Sequence, residues 1–161
     1  MSYQKLQGYI AIETFKSDYA NIPFPNIAAE GTATSTSGSK LVDTTADFVK
    51  AGVKEGDIVY DTVNSAAATV IEVIDKQNLM LNNAIIVSGD AYIIYVANPS
   101  SGADDANNGC VLYVGVSGNL EVTTIGGSKV TFTNMPVGFV PVQVKKLWQT
   151  GTTAKDVVAL W

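Results

Sequence analysis

Apolar residues recur along this chain in short runs that alternate with Thr, Ser, Asn and Lys, and the runs are separated by turn-forming residues. That period of two is the signature of half-buried β-strands. It predicts strands over 58–62, 68–74, 79–81 and 92–96, each bounded by Asn-Ser, Asp-Lys-Gln-Asn or Ser-Gly-Asp turn chemistry. A second series is cleaner still. The near-continuous apolar run 110–114 leads through Ser117-Gly118-Asn119, read as a tight hairpin, into the alternating 120–123. Gly126-Gly127 turns the chain into 129–133, where Val130 and Phe132 share the expected core face. Val140, Val142 and Val144 line the next strand, and 156–161 forms a last one. A single helical turn is expected after Asp43 or Thr44, either of which can cap it, ending at Gly52.

Between these runs lie two polar stretches, GTATSTSGSK from Gly31 to Lys40 and NPSSGADDANNG from Asn98 to Gly109, which read as connectors. They divide the chain into three blocks. Residues 1–30 carry an apolar stretch at 9–12 and then SDYANIPFP, where Pro23 and Pro25 fix their own φ and bias Ile22 and Phe24 toward extended conformations. The expected fold is all-β: a β-sandwich formed from 1–30 plus 99–161, with an N-terminal extended arm, and an inserted small β-barrel-like domain over 31–98.

Composition changes the picture chiefly by exclusion. The 161 residues include no His, no Arg and one Cys, so every basic side chain is Lys. There is no Ser-His-Asp triad, no imidazole base and no HExxH zinc site to assemble. No guanidinium fork exists for phosphate or carboxylate, and Cys110 alone closes no internal disulfide. Charged residues are 16% of the chain against a typical value of about 25%. The net charge of −5 argues against nucleic acid or an anionic membrane as partner. It is concentrated in 31–98, which holds 4 Lys and 8 acidic residues, while the remainder holds 6 and 7. The only basic pair, Lys145-Lys146, reads as a solvated edge because adjacent strand residues point to opposite faces. The opening residues lack the apolar run of a secretory signal, so synthesis in the cytoplasm is expected.

Four features of the third block carry a resemblance: Tyr113-Val114-Gly115 ending a strand, the Gly126-Gly127 hairpin, the Pro141-Val142-Gln143-Val144 strand, and the Gly151-Thr152-Thr153-Ala154 turn into a final apolar strand. Together with the Ser17-Asp18 stretch leading to Pro25, they resemble a β-sandwich module of virion structural proteins of tailed double-stranded DNA bacteriophages, which also occurs at the base of head spikes in phage-like gene transfer agents. In compact members the opening runs almost directly into the tyrosine-bearing strand. Here about seventy residues intervene, and this insert, with LVDTTADFV and EGDIVYDT, resembles another recurrent phage structural module. The resemblance implies a virion protein at the capsid surface, with the major capsid protein or other virion proteins as partners.

Candidate chemistry is weighed against that frame. Asp104-Asp105 is the densest acidic cluster, with Asp43, Asp47, Glu55, Asp57 and Asp61 scattered in the insert, but none has the spacing of a Ca²⁺ loop and all read as solvated turn residues. Gly126-Gly127 lacks the Lys-Ser/Thr pair and helix of a phosphate loop. No catalytic, cofactor or metal residue is assigned, and a paired-carboxylate glycosidase is the enzymatic alternative. A carbohydrate-binding reading would rest on Tyr60, Tyr92, Tyr95 and Trp148 as stacking platforms. The expectation is a non-enzymatic capsid decoration or cement protein, with a tail, baseplate or head-fibre role, possible host-surface carbohydrate binding included, as the alternative. Intersubunit contacts are expected at Ile22, Pro23, Phe24, Pro25, Trp148, Leu160 and Trp161, and trimeric or other cyclic self-association is compatible with this role.

Overall fold

The structure is a computed structural model that describes residues 11–97 and 109–161. Asp104 and Asp105 therefore lie outside the described residues, as does most of the second connector. The chain is all-β, with thirteen strands and no helix among the described residues: β1 (Ala11–Glu13), β2 (Ile27–Thr32), β3 (Ser35–Ser37), β4 (Lys40–Val42), β5 (Ile58–Asp61), β6 (Ala66–Val73), β7 (Asn78–Leu81), β8 (Ala91–Tyr95), β9 (Cys110–Val116), β10 (Gly118–Thr124), β11 (Lys129–Met135), β12 (Gly138–Leu147) and β13 (Lys155–Leu160). Two compact units result. One joins Met1–Asp18 to Ser100–Trp161, and the other is Tyr19–Pro99.

The boundary falls at Asp18/Tyr19 and not at 30/31, because β2 pairs antiparallel with β8 and so belongs to the central unit. By sequence count the flanking unit holds 6 Lys and 6 acidic residues, the central unit 4 Lys and 9. All of the net charge thus belongs to the central unit.

In the central unit the strand order is β2-β8-β5-β6-β7-β4-β3. The two terminal strands are consecutive in the chain, separated only by Ala33 and Thr34. Ala33 exchanges backbone hydrogen bonds with the β8 side, donating to the Asp90 carbonyl at 2.9 Å, while Thr34 donates to Val42 at the end of β4 at 2.8 Å. One bent strand therefore closes the sheet into a small barrel, which removes both edges. Stretch 31–40, read as a connector, supplies that closing strand. Its small polar side chains carry no hydrophobic period, and its strand character comes from the neighbours it pairs with. Leu41, Phe48, Val59, Ala68, Val70, Leu79, Leu81, Tyr92 and Ile94 fill the interior.

The expected helical turn before Gly52 is a single turn capped from another position. Asp47, not Asp43 or Thr44, takes the cap: its Oδ1 accepts from Lys50 N at 2.9 Å, and its carbonyl accepts from Ala51 N at 2.9 Å. Gly52, with φ +78°, ends it and places Phe48 in the core.

In the flanking unit the order is β1-β13-β9-β12-β10-β11, all antiparallel. The hairpin expected at Ser117-Gly118-Asn119 does not form. Strands β9 and β10 are separated by Ser117 alone, yet β12 lies between them: its first part pairs with β9 and its last part with β10. Irregularities at 139–143 and at Thr123/Thr124 allow β12 to pass from one layer to the other. Pro141, which has no N–H to offer a ladder, sits in the first of these. The fold-over buries Leu112 and Val114 of β9, Leu120 and Val122 of β10, Val140 and Val144 of β12, and Val157 and Ala159 of β13.

Candidate functional site

The four acidic residues nearest the barrel interior are the first test of a chemical site. Asp43, Asp57 and Asp61 are buried, a correction to their reading as solvated turn residues, and Asp90 is buried as well, whereas Asp47 and Glu55 are exposed. Each buried carboxylate is consumed by the fold. Asp43 accepts from Tyr92 Oη at 2.7 Å, Thr45 N at 2.8 Å and Thr45 Oγ1 at 2.7 Å. Burial pushes the Asp43 carboxyl up, but the hydrogen bonds from Thr45 and Tyr92 outweigh it and hold the group below the usual range. The Tyr92 hydroxyl is driven strongly upward by burial and by the Asp43 carboxylate. Asp57 accepts from Lys54 N and Ala97 N, while Asp61 accepts from Val63 N, Asn64 N and Asn64 Nδ2. Asp90 accepts from Asn64 Nδ2 and Val87 N. These are turn locks, arranged to satisfy backbone donors. No group of three His, Cys, Asp or Glu side chains among the described residues is placed to hold a metal.

The aromatic residues are equally engaged. Tyr92 is buried against Phe48, with ring centroids 6.1 Å apart. Trp148 has Lys129 Nζ at 3.8 Å and Lys146 Nζ at 3.9 Å from its ring centroid, and its Nε1 donates to Thr123 Oγ1 at 2.9 Å. A ring already occupied by two ammonium groups is not an open platform for a sugar. Lys146 also donates to the Asp18 carbonyl at 2.8 Å, and burial lowers its pKa, so half of the Lys145-Lys146 pair is committed to local structure. Tyr60 and Tyr95 are half-buried on the barrel. Cys110 is buried, and desolvation pushes its thiol up to about 12, which removes it as a nucleophile.

The residues expected to make intersubunit contacts are placed less openly than an arm would be. Pro23 is buried, and Ile22, Phe24, Pro25, Trp148, Leu160 and Trp161 are half-buried. The preceding segment is tied down as well. Ser17 N donates to Leu147 O at 3.0 Å, Asp18 accepts from Thr150 N and Thr150 Oγ1, and Lys16 Nζ donates to Ala154 O. Those bonds from Thr150 hold the Asp18 carboxyl below its usual range.

The central unit exposes Ile27, Val49, Val63, Ile71 and Val87, and the flanking unit exposes apolar surface on β9, β12 and β13. Register places Val158, Tyr113 and Phe139 in one row, and Leu160, Val111 and Gln143 in the next. Directly opposed residues of an antiparallel pair share a face, and here it is the face opposite buried Leu112 and Val114. Phe139 meets Tyr113 edge-on, with centroids 5.3 Å apart, and is still 63% exposed. Val137, just before β12, is also exposed. The whole stretch from Val130 to Val144 contains no charged residue. Phe139 was missed in the sequence because strand alternation sets it opposite Val140 and Val144, on a face that no local pattern shows to be left uncovered.

No family model, no curated protein and no solved structure matches the chain.

Proposed function

We propose that the protein is a non-enzymatic structural component of a tailed-phage virion, which decorates or cements the capsid shell. The observation that carries this reading is the apolar outer surface of the flanking unit around Tyr113 and Phe139, a row that ends at Glu13 of β1, on a unit with no net charge. A surface of that kind loses little hydration on burial and gains about 25 cal/mol per Å² of apolar area covered. The acidic barrel suits the opposite role, facing solvent, since like charge repels it from packaged DNA. The sandwich module's resemblance to virion proteins supports the same assignment. Contacts that exist only in the assembled particle stabilise the shell by mass action. Major capsid protein and copies of the chain itself are the partners.

Co-sedimentation of the purified full chain with capsids that lack it tests the proposal. Saturable binding is expected, lost when Phe139→Asp places a charge in the apolar row. Failure to bind capsids, together with binding to host cells, would support the tail or fibre alternative instead.

A further inference from the structure

Strands β5 and β8 carry apolar side chains on both of their faces. Val59 and Ile94 belong to the barrel interior, so Ile58, Tyr60, Ile93 and Tyr95, at the alternate positions, point outward. A strand that is apolar on both sides is one covered on both sides. Exposure agrees, because Ile58 is only 3% exposed and Ala67, paired with Tyr60 on β6, only 2%, although both point away from the interior.

The cover is held at two ends. At the first, the Tyr19 carbonyl accepts from Thr69 Oγ1 at 2.9 Å and from Asn82 Nδ2 at 2.7 Å. At the second, Asn26 O accepts from Val96 N at 2.8 Å and Ile27 pairs with Tyr95. Register sets Thr69, Ile58, Tyr95 and Ile27 in one row across β6, β5, β8 and β2. A segment that starts over Thr69 and ends beside Tyr95 crosses Ile58. The crossing is three strand spacings, about 14 Å, within easy reach of an extended segment at about 3.3 Å per residue. Ala20 and Pro23 are buried along it.

We infer that residues 19–26 form a releasable strap, which shuts an apolar outer face of the barrel and lifts from it while the barrel stays closed. The seven-stranded ladder and its closure through Ala33 and Thr34 use none of residues 19–25 among the described residues. Pro23 and Pro25 have no N–H to add to a ladder. Both donors to the Tyr19 carbonyl are side chains at exposed positions, and Tyr19 itself is 46% exposed. Lifting the strap therefore breaks these anchors and leaves the hydrogen bonds between barrel strands intact, the condition for a local opening below the cost of unfolding. Release would turn Ile58, Tyr60 and Ala67 into open apolar surface. The inference stands on the barrel alone and is independent of the virion reading.

Hydroxyl-radical footprinting of the full chain, read by mass spectrometry, tests it, because Phe48 and Tyr92 report the barrel interior and Ile58 its covered outside. All three should be protected in the unmodified protein. Pro23→Asp sets a charge on the buried side of the strap and should raise labelling of Ile58 and Tyr60 several-fold, with Phe48 and Tyr92 unchanged. Thr69→Val with Asn82→Asp removes both donors to Tyr19 but keeps the Oδ1 acceptor for Thr69 N, so the same two labels should rise by a smaller factor. Labelling of Phe48 and Tyr92 in step with Ile58 would show that strap and barrel open only together, and overturns the inference. Continued protection of Ile58 in Pro23→Asp, or no rise in the double variant, overturns it as well.

Discussion

Phe48→Ala is expected to destabilise the barrel by about 3–5 kcal/mol, the range for removing a fully buried aromatic side chain from a close-packed core. Phe48 is 0% exposed and packs against Tyr92, whose hydroxyl in turn holds Asp43. Truncation therefore empties the centre of the barrel and frees the ring that positions a buried carboxylate. Total stabilities of small domains are about 5–15 kcal/mol, so a loss of this size removes a large share of it. Amide hydrogen exchange of β5, β7 and β8 is the direct readout, because it follows the barrel strands themselves. Exchange accelerated by two or more orders of magnitude is expected; unchanged protection would show that Phe48 is not a core residue.

Gly118→Ala should cost about 2–4 kcal/mol, as an overpacked contact with lost hydrogen bonds. A methyl group at this position would stand 2.6 Å from the Ala154 nitrogen and 2.8 Å from the Thr153 carbonyl carbon, both main-chain atoms that no rotamer can move. To make room, the Gly151–Ala154 turn must withdraw from β10. That strains the bonds from Thr153 N and Ala154 N to Asn119 O, at 2.8 and 3.0 Å, and from Asn119 N to Thr153 Oγ1 at 2.8 Å. Both tryptophans, Trp148 and Trp161, belong to this unit, so the midpoint of a denaturant titration followed by tryptophan fluorescence reports the change. An unshifted midpoint would mean that the turn and β10 are not in the close contact described.

These two substitutions also mark where the sequence was legible. Strands with a hydrophobic period or an apolar run, such as β5, β7, β8 and β13, were readable within a residue or two, because burial of alternate side chains is a local pattern. Phe48 was placed on a turn ending at Gly52, and the structure agrees. Gly118 was read as a turn residue, whereas its requirement is space against a segment more than thirty residues away. No local rule contains that information. The same applies to the threonines of the Gly151–Ala154 turn. Thr152 and Thr153 accept from the backbone of Glu121 and Asn119 across the sheet. Strands β2 and β3 were hidden because Ala, Gly, Ser and Thr carry no amphipathic signal. In β11 the face was right and the depth was not: Val130 and Phe132 point to the core side at the position where the core runs out.

For the candidate surface, the legible part was chemical character, an uncharged β surface. The particular residues were not, since Pro23 is buried and the exposed aromatic is Phe139, on the face of β12 opposite Val140 that the unit leaves open. A deletion is a poor test of the N-terminal segment. Removing the first 26 residues takes away β1 and the Ser17–Leu147 bond, and so perturbs the unit's fold along with any contact. Single substitutions on the exposed face separate these effects.

Imaging the virion that carries this chain tests the central claim most directly. The account predicts ordered density for the protein on the outer surface of the capsid shell, with the apolar rows around Tyr113 and Phe139 against neighbouring subunits and the acidic barrel toward solvent. Density confined to the tail or baseplate, or a particle without the protein, would contradict it.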